Sequence, residues 1–428
     1  MTEANRLSAV DAARRLQRRE LSAEALLRDC LARIEAREPE VRAFVHLDAE
    51  AALAQARALD AGPVRGPLHG LPLAVKDIFD THDLPTEMGS PIFAGNRPRV
   101  DAAAVALCRA AGAVVIGKTV TTELANMTAG VTRNPINPAH SPGGSSSGSA
   151  AAVADFMAPL ALGTQTAGSI IRPAACCGIV GVKPSFVRVP RAGVKPNADS
   201  MDTVGGFGRT VADAALLASV LTGDARLRTE ALPATLRIGL VRGPDWAQAE
   251  ADVVACWDQA VRRLAPVAAA CEDATLPHDF ADVAAVQAAI QAAETAQALA
   301  DEHRRHRGRL SEALVVLLDK GRAIDALTLA AHRARAERWR REVDALFDRH
   351  DVLLAPSAVD EAPEGLQFTG DPVFCRPWSL LGLPCVHLPF ASGATGLPVG
   401  LQLVGRFGHD HRLLAAAQWA MARLVDAR

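Results

Sequence analysis

Between residues 73 and 119 the chain alternates two kinds of segment, and that alternation limits the folds open to it. LAVKDIF (73–79) and AVVIGKT (113–119) are short apolar runs that read as buried strands. DAAAVALCRAAG (101–112) lies between them and reads as a helix capped by Asp101 and ended by Gly112. Strand, helix, strand predicts an α/β fold with at least partly parallel pairing.

The rest of the chain extends this frame. Residues 8–60 carry helical spacing, opened by Ser8 and Asp11 in capping-box register. Residues 134–149, NPINPAHSPGGSSSGS, are too rich in proline, glycine and serine for regular structure and predict a rigid loop. From 245 to 350 alanine, arginine and glutamate dominate, which predicts a mostly helical insertion or subdomain. DVLLAP (351–356) and LPVGLQLVG (397–405) are further strands, the second the last, before a closing helix from about 410.

A net charge of −2 with 49% hydrophobic and 22% charged residues fits a soluble globular protein and gives no electrostatic case for nucleic acid or membrane. The first residues lack the apolar core of a signal peptide, and no apolar run is long enough to span a bilayer. Eight cysteines without a CxxC pair predict reduced thiols and a cytoplasmic location. Tyrosine is absent, which excludes any mechanism needing a tyrosine acid or base.

Three motifs suggest chemistry that their surroundings reject. Gly112 to Thr119 matches the phosphate-loop pattern, but Ala, Val, Val and Ile between the glycines prefer a strand to a loop that wraps an anion. His409 and His411 lack the cluster a metal needs and read as exposed residues near a helix cap, so no metal is expected. The arginine runs at 303–309 and 332–341 could suggest a nucleic-acid face, but with glutamates interspersed around them and a near-neutral total charge they read as a solvated helix surface.

Three other stretches fit together. Lys76 sits in an apolar strand, where desolvation lowers its pKa and makes a neutral base of it, unless an acid such as Asp77 pairs with it. The glycines of GGSSSGS (143–149) allow unusual backbone angles that present hydroxyls and N–H groups. In GTQTAGSIIRP (163–173), Ser169 precedes a helix start marked by Pro173. A serine there is most often an N-cap, but the small residues before it let the backbone approach a ligand, and the N–H groups of Thr166, Ala167, Gly168 and Ser169 could form a hole for a developing oxyanion.

GGSSSGS, GTQTAGSIIRPA, PLHGLPLAVKD and DTVGGFGRTVADAALL (202–217) together resemble the amidase signature family over nearly the whole chain. The resemblance implies a single domain over 1–428: a large mixed, partly parallel sheet covered by helices on both faces, with an N-terminal helical region (1–60) and the 245–350 helical insertion. It implies a Ser–cis-Ser–Lys triad in which Ser169 is the nucleophile, Ser145 the serine of the cis peptide and Lys76 the base. Amide hydrolysis by such a triad needs neither metal nor organic cofactor.

Where many members read GTDTGGSIRxPA, this chain has Gln165, Ala167 and an arginine displaced to Arg172. Arg172 lies three residues after Ser169 and shares its helix face. It either receives a substrate carboxylate, as in a malonamidase-like branch, or braces the neighbouring loop. Gln165 and Arg376 are further candidates for substrate contact, with a structural ion pair the alternative for Arg376. The expected activity is hydrolysis of a small amide bearing a carboxylate, malonamate-like or carboxybiuret-like. The alternatives are the glutaminase subunit of a tRNA-dependent amidotransferase, or an idle scaffold of the same fold. Expected partners are the amide substrate and a second copy or a small accessory subunit.

Overall fold

The computed structural model describes residues 3–425, so the outermost ends of the expected 1–428 domain lie outside the described residues. Eleven strands form one sheet: β1 (Phe44–Leu47), β2 (Pro72–Lys76), β3 (Val114–Thr119), β4 (Leu160–Gln165), β5 (Val180–Lys183), β6 (Thr203–Gly208), β7 (Arg237–Leu240), β8 (Ala270–Asp273), β9 (Val352–Pro356), β10 (Cys385–Ser392) and β11 (Pro398–Val404). Their order across the sheet is β1-β3-β2-β4-β6-β5-β10-β11-β9-β7-β8. β2 runs parallel to β3 and β4, and β7 runs parallel to β8 and β9. The other pairings are antiparallel, so the sheet is mixed. Every residue of β2, β3, β4, β5, β6 and β9 is buried, which requires cover on both faces.

Several local expectations are corrected. The helical spacing of 8–60 hides β1, a four-residue edge strand between the helices Ala23–Val41 and Ala49–Ala61. Asp101 does not cap the helix Ala103–Ala110; its carboxylate holds His82 and Arg109 instead. The serine-rich loop ends sooner than expected, because Ser147–Ala154 is already a buried helix. The 245–350 stretch contains helices and also β8, the strand at the sheet edge. No helix among the described residues is long and apolar enough to cross a membrane.

The rejected motifs find structural roles. Gly117 and Lys118 lie inside β3, where Lys118 Nζ meets Asp77 Oδ1 at 3.1 Å. The arginines of the two basic runs face acids of their own surface, among them Asp301, Asp319, Asp279 and Glu294. His409 and His411 are half-buried rather than exposed, and the Asp410 between them is buried, accepting from Ser185 N and Oγ at 2.7 Å each.

Candidate active site

Three chain segments meet at the carboxyl ends of β2 and β4. Successive residues of a strand face opposite sides. Asp77 therefore turns toward Lys118 while Lys76 turns away from it. Lys76 is fully buried, and its Nζ donates to Ser145 Oγ and to Thr164 Oγ1, both at 2.8 Å. No carboxylate pairs with it among the described residues. Burial pulls its pKa from 10.5 down to about 7, opposed by the charge of Asp202. Half of such lysines are uncharged at neutral pH.

The Gly144–Ser145 peptide is cis. Gly143, at φ +77°, turns the chain where a Cβ would lie 2.8 Å from Pro173 Cα, so only glycine fits. Arg172 holds this turn: its Nη2 donates to Gly144 O at 2.6 Å and reaches Thr369 Oγ1 at 3.3 Å. The side chain is 4% exposed, and Nε and Nη1 are buried without a partner. The loop-bracing role anticipated for Arg172 is therefore occupied, and its remaining N–H groups are sealed from solvent.

Ser169 follows β4 in a turn before the helix Ile171–Cys177 and is 9% exposed. It is not the N-cap, which is Ile170. Gln165 caps the helix instead: its Oε1 accepts from Ile170 N at 2.9 Å and Ile171 N at 3.0 Å. Its Nε2 donates to Ser379 Oγ at 3.0 Å, and Ser379 Oγ donates to Ala167 O at 2.6 Å. Gln165 is fully buried, and both ends of its amide shape the loop. Sequence reasoning misses Ser379, since nothing local marks a serine 214 residues away as the partner of Gln165.

This bracing leaves donors free. The backbone N–H groups of Thr166, Ala167, Gly168 and Ser169 donate to nothing among the described residues, and neither does Ser169 Oγ. Ser146 Oγ fixes Ser169 O from below at 2.6 Å. A Cβ on Gly168 would come within 2.9 Å of Pro372 Cβ, so the segment before Arg376 closes over the loop.

Arg376 is half-buried and forms no ion pair among the described residues, which removes the structural-pair alternative. Its Nη1 donates to Gln287 Oε1, and Gln287 Nε2 lies 3.5 Å from Thr166 O. Burial lowers its pKa, with the charges of Asp371 and Asp245 acting against the shift. An unpaired guanidinium therefore stands one side chain away from the free N–H groups.

The family model described as Amidase matches residues 25–414. A glutamyl-tRNA(Gln) amidotransferase subunit of Chloroflexus aurantiacus is 36% identical, covering 100% of this chain and 98% of that one. A crystal structure of an amidase superposes with a TM-score of 0.89 at 33% identity, over 97% of this chain and 100% of that one. A structure from a vestigial protein complex bearing on the origins of an s-triazine catabolic enzyme gives 0.89 at 29% identity, over 97% and 98%.

Proposed function

Because the chain belongs to the amidase family, we propose that it hydrolyses a small carboxylate-bearing primary amide through an acyl-enzyme on Ser169, in the manner of the glutaminase-type subunit of an amidotransferase. The observation that carries the chemistry is the Lys76–Ser145 hydrogen bond, made by a lysine that pairs with no carboxylate among the described residues. Relatives named as glutamyl-tRNA(Gln) amidotransferase subunits, matched over nearly their whole length, favour the glutaminase form and a companion subunit.

In this reading Ser169 Oγ attacks the amide carbon, and its proton passes through Ser145 Oγ to neutral Lys76. The oxyanion takes the free N–H groups of 166–169. Lys76 returns the proton through Ser145 to the leaving nitrogen, the C–N bond breaks and ammonia departs. Water then attacks the ester carbon and gives its proton to the same relay; the C–Oγ bond breaks, the relay returns that proton to Ser169 Oγ, and the acid departs. Arg376 receives the substrate carboxylate, with Arg172 adding positive charge from behind the cis turn.

A second reading is a free-standing hydrolase of malonamate-like or carboxybiuret-like amides. The likeness to the protein from the s-triazine-related complex favours it. Ammonia release from glutamine, malonamate, malonamide and benzamide, with and without Ser169→Ala, separates the readings. Turnover of glutamine, lost in the variant, supports the first; turnover of malonamate alone supports the second. Activity only on the uncharged amides sinks the anion pocket, and activity that survives Ser169→Ala sinks the nucleophile. Inactivity on all four, with no labelling of Ser169 by a fluorophosphonate, leaves the idle scaffold.

A further inference from the structure

Asp202 immediately precedes β6 and no step above uses it, yet its carboxylate is committed to the reacting region. Its Oδ1 accepts from Thr166 Oγ1 at 2.6 Å, and its Oδ2 accepts from Asn197 N at 2.7 Å and Ala198 N at 3.0 Å. Thr166 carries the first of the four free N–H groups. Asp202 also lines a cavity of about 120 Å³ together with Thr164 and Thr166. Thr164 is the second acceptor of Lys76 Nζ. One acid thus holds the donor loop directly and shares a cavity wall with the threonine that accepts from the lysine.

We infer that Asp202 is a positioning residue for the reaction: it fixes Thr166 at the head of the free N–H run and places a negative charge on the cavity that Thr164 shares with it. The inference rests on the Ser169–Ser145–Lys76 reading. The first role sets the geometry of the oxyanion donors. The second bears on how readily Lys76 loses its proton: burial lowers the lysine's pKa and the Asp202 carboxylate opposes that, while burial raises the acid's own pKa and its hydrogen bonds from Thr166, Asn197 and Ala198 work the other way. Asp77, beside Lys76 on β2, is spent on Lys118 on the other face. Arg191, Lys195 and Asp199 line the same cavity and face Asp202. Glu294, from the helix behind, is held by Ser200 N and Arg333.

The two roles separate in two variants. Thr166→Val cuts the tether and keeps the charge, whereas Asp202→Asn removes the charge. The readout is the rate at which a fluorophosphonate labels Ser169 across pH. Ser169 Oγ displaces fluoride from phosphorus, an Oγ–P bond replacing P–F, and the proton leaves through the Ser145 relay. No knowledge of the natural amide is needed. Thr166→Val is expected to slow labelling about tenfold at every pH with the acid limb unmoved. Asp202→Asn is expected to move the acid limb to lower pH by about half a unit to one unit, since losing an anion favours neutral Lys76. Thr166→Ser should restore the rate.

A limb unmoved in folded Asp202→Asn, or a rate unchanged in Thr166→Val, overturns the inference. Should Asp202→Asn fail to fold, Thr166→Val and Thr166→Ser decide it alone. Wild-type labelling that persists in Lys76→Met points instead to failure of the underlying reading.

Discussion

Lys76 Nζ lies 2.8 Å from Ser145 Oγ, while the acid next to it in sequence, Asp77, is bound to Lys118. The pleat of β2 enforces this division, so no carboxylate among the described residues pairs with the buried ammonium at 76. With its pKa near 7, the fraction of uncharged base rises tenfold per pH unit below that point and levels off above it. Amide hydrolysis should follow, with kcat/KM climbing to a plateau just above neutrality. Lys76→Met should lower kcat by about 10³-fold or more. A profile flat between pH 5 and 9 would contradict a neutral lysine base.

The same lysine costs stability. Its folded pKa, about 7, lies below the unfolded 10.5, so between those values the unfolded chain binds more protons and stability rises with pH. The cost is full below pH 7 and gone above 10.5, and by linkage it amounts to about 3–5 kcal/mol. Lys76→Met should therefore raise Tm at pH 6 while abolishing activity, with the gain shrinking toward pH 10. A variant with lower Tm at pH 6 would show that the two hydroxyl partners compensate the buried ammonium.

What can be read from the sequence depends on the reach of each interaction. Lys76, Ser145 and Ser169 sit in motifs whose meaning is local: an apolar run, a glycine-flanked serine, a small-residue turn before Pro173. Gln165 is harder to read, because its work in the loop depends on Ser379, which the chain brings back only after a long excursion. β10 escapes notice because Pro389 interrupts the run CVHLPFAS, and the structure answers with a register shift between Pro389 and Ala391. β8 escapes notice because ACED is short, half-exposed and has no alternation.

Ser379 provides the cleanest test of the bracing network. It accepts from Gln165 and donates to Ala167 O, whose neighbours supply the free N–H groups. Ser379→Ala leaves a buried carbonyl and a buried amide unpaired, which should cost about 1–3 kcal/mol in chemical denaturation. It should also lower kcat about tenfold with KM nearly unchanged, because the loss falls on donors that act in the transition state. Unchanged kcat with lowered stability would confine Ser379 to folding.

In the proposed reading Arg376 decides the substrate class. Its guanidinium has one fixed partner, Gln287 Oε1, and no carboxylate among the described residues, so most of its N–H groups are open to an incoming anion. Arg376→Gln keeps a polar, hydrogen-bonding side chain, though a shorter one, and removes the charge. For glutamine or malonamate it should raise KM about 10–100-fold, the scale of a lost charge-assisted pair, with kcat changed by a few-fold at most. Malonamide, which carries no carboxylate, should show no such rise. Gln287→Ala frees the arginine from its tether without touching its charge, so it should weaken the same carboxylate substrates by a smaller factor. Equal losses on charged and uncharged amides would mean that Arg376 serves the loop through Gln287 and Thr166 O alone, and the carboxylate would have to be received elsewhere.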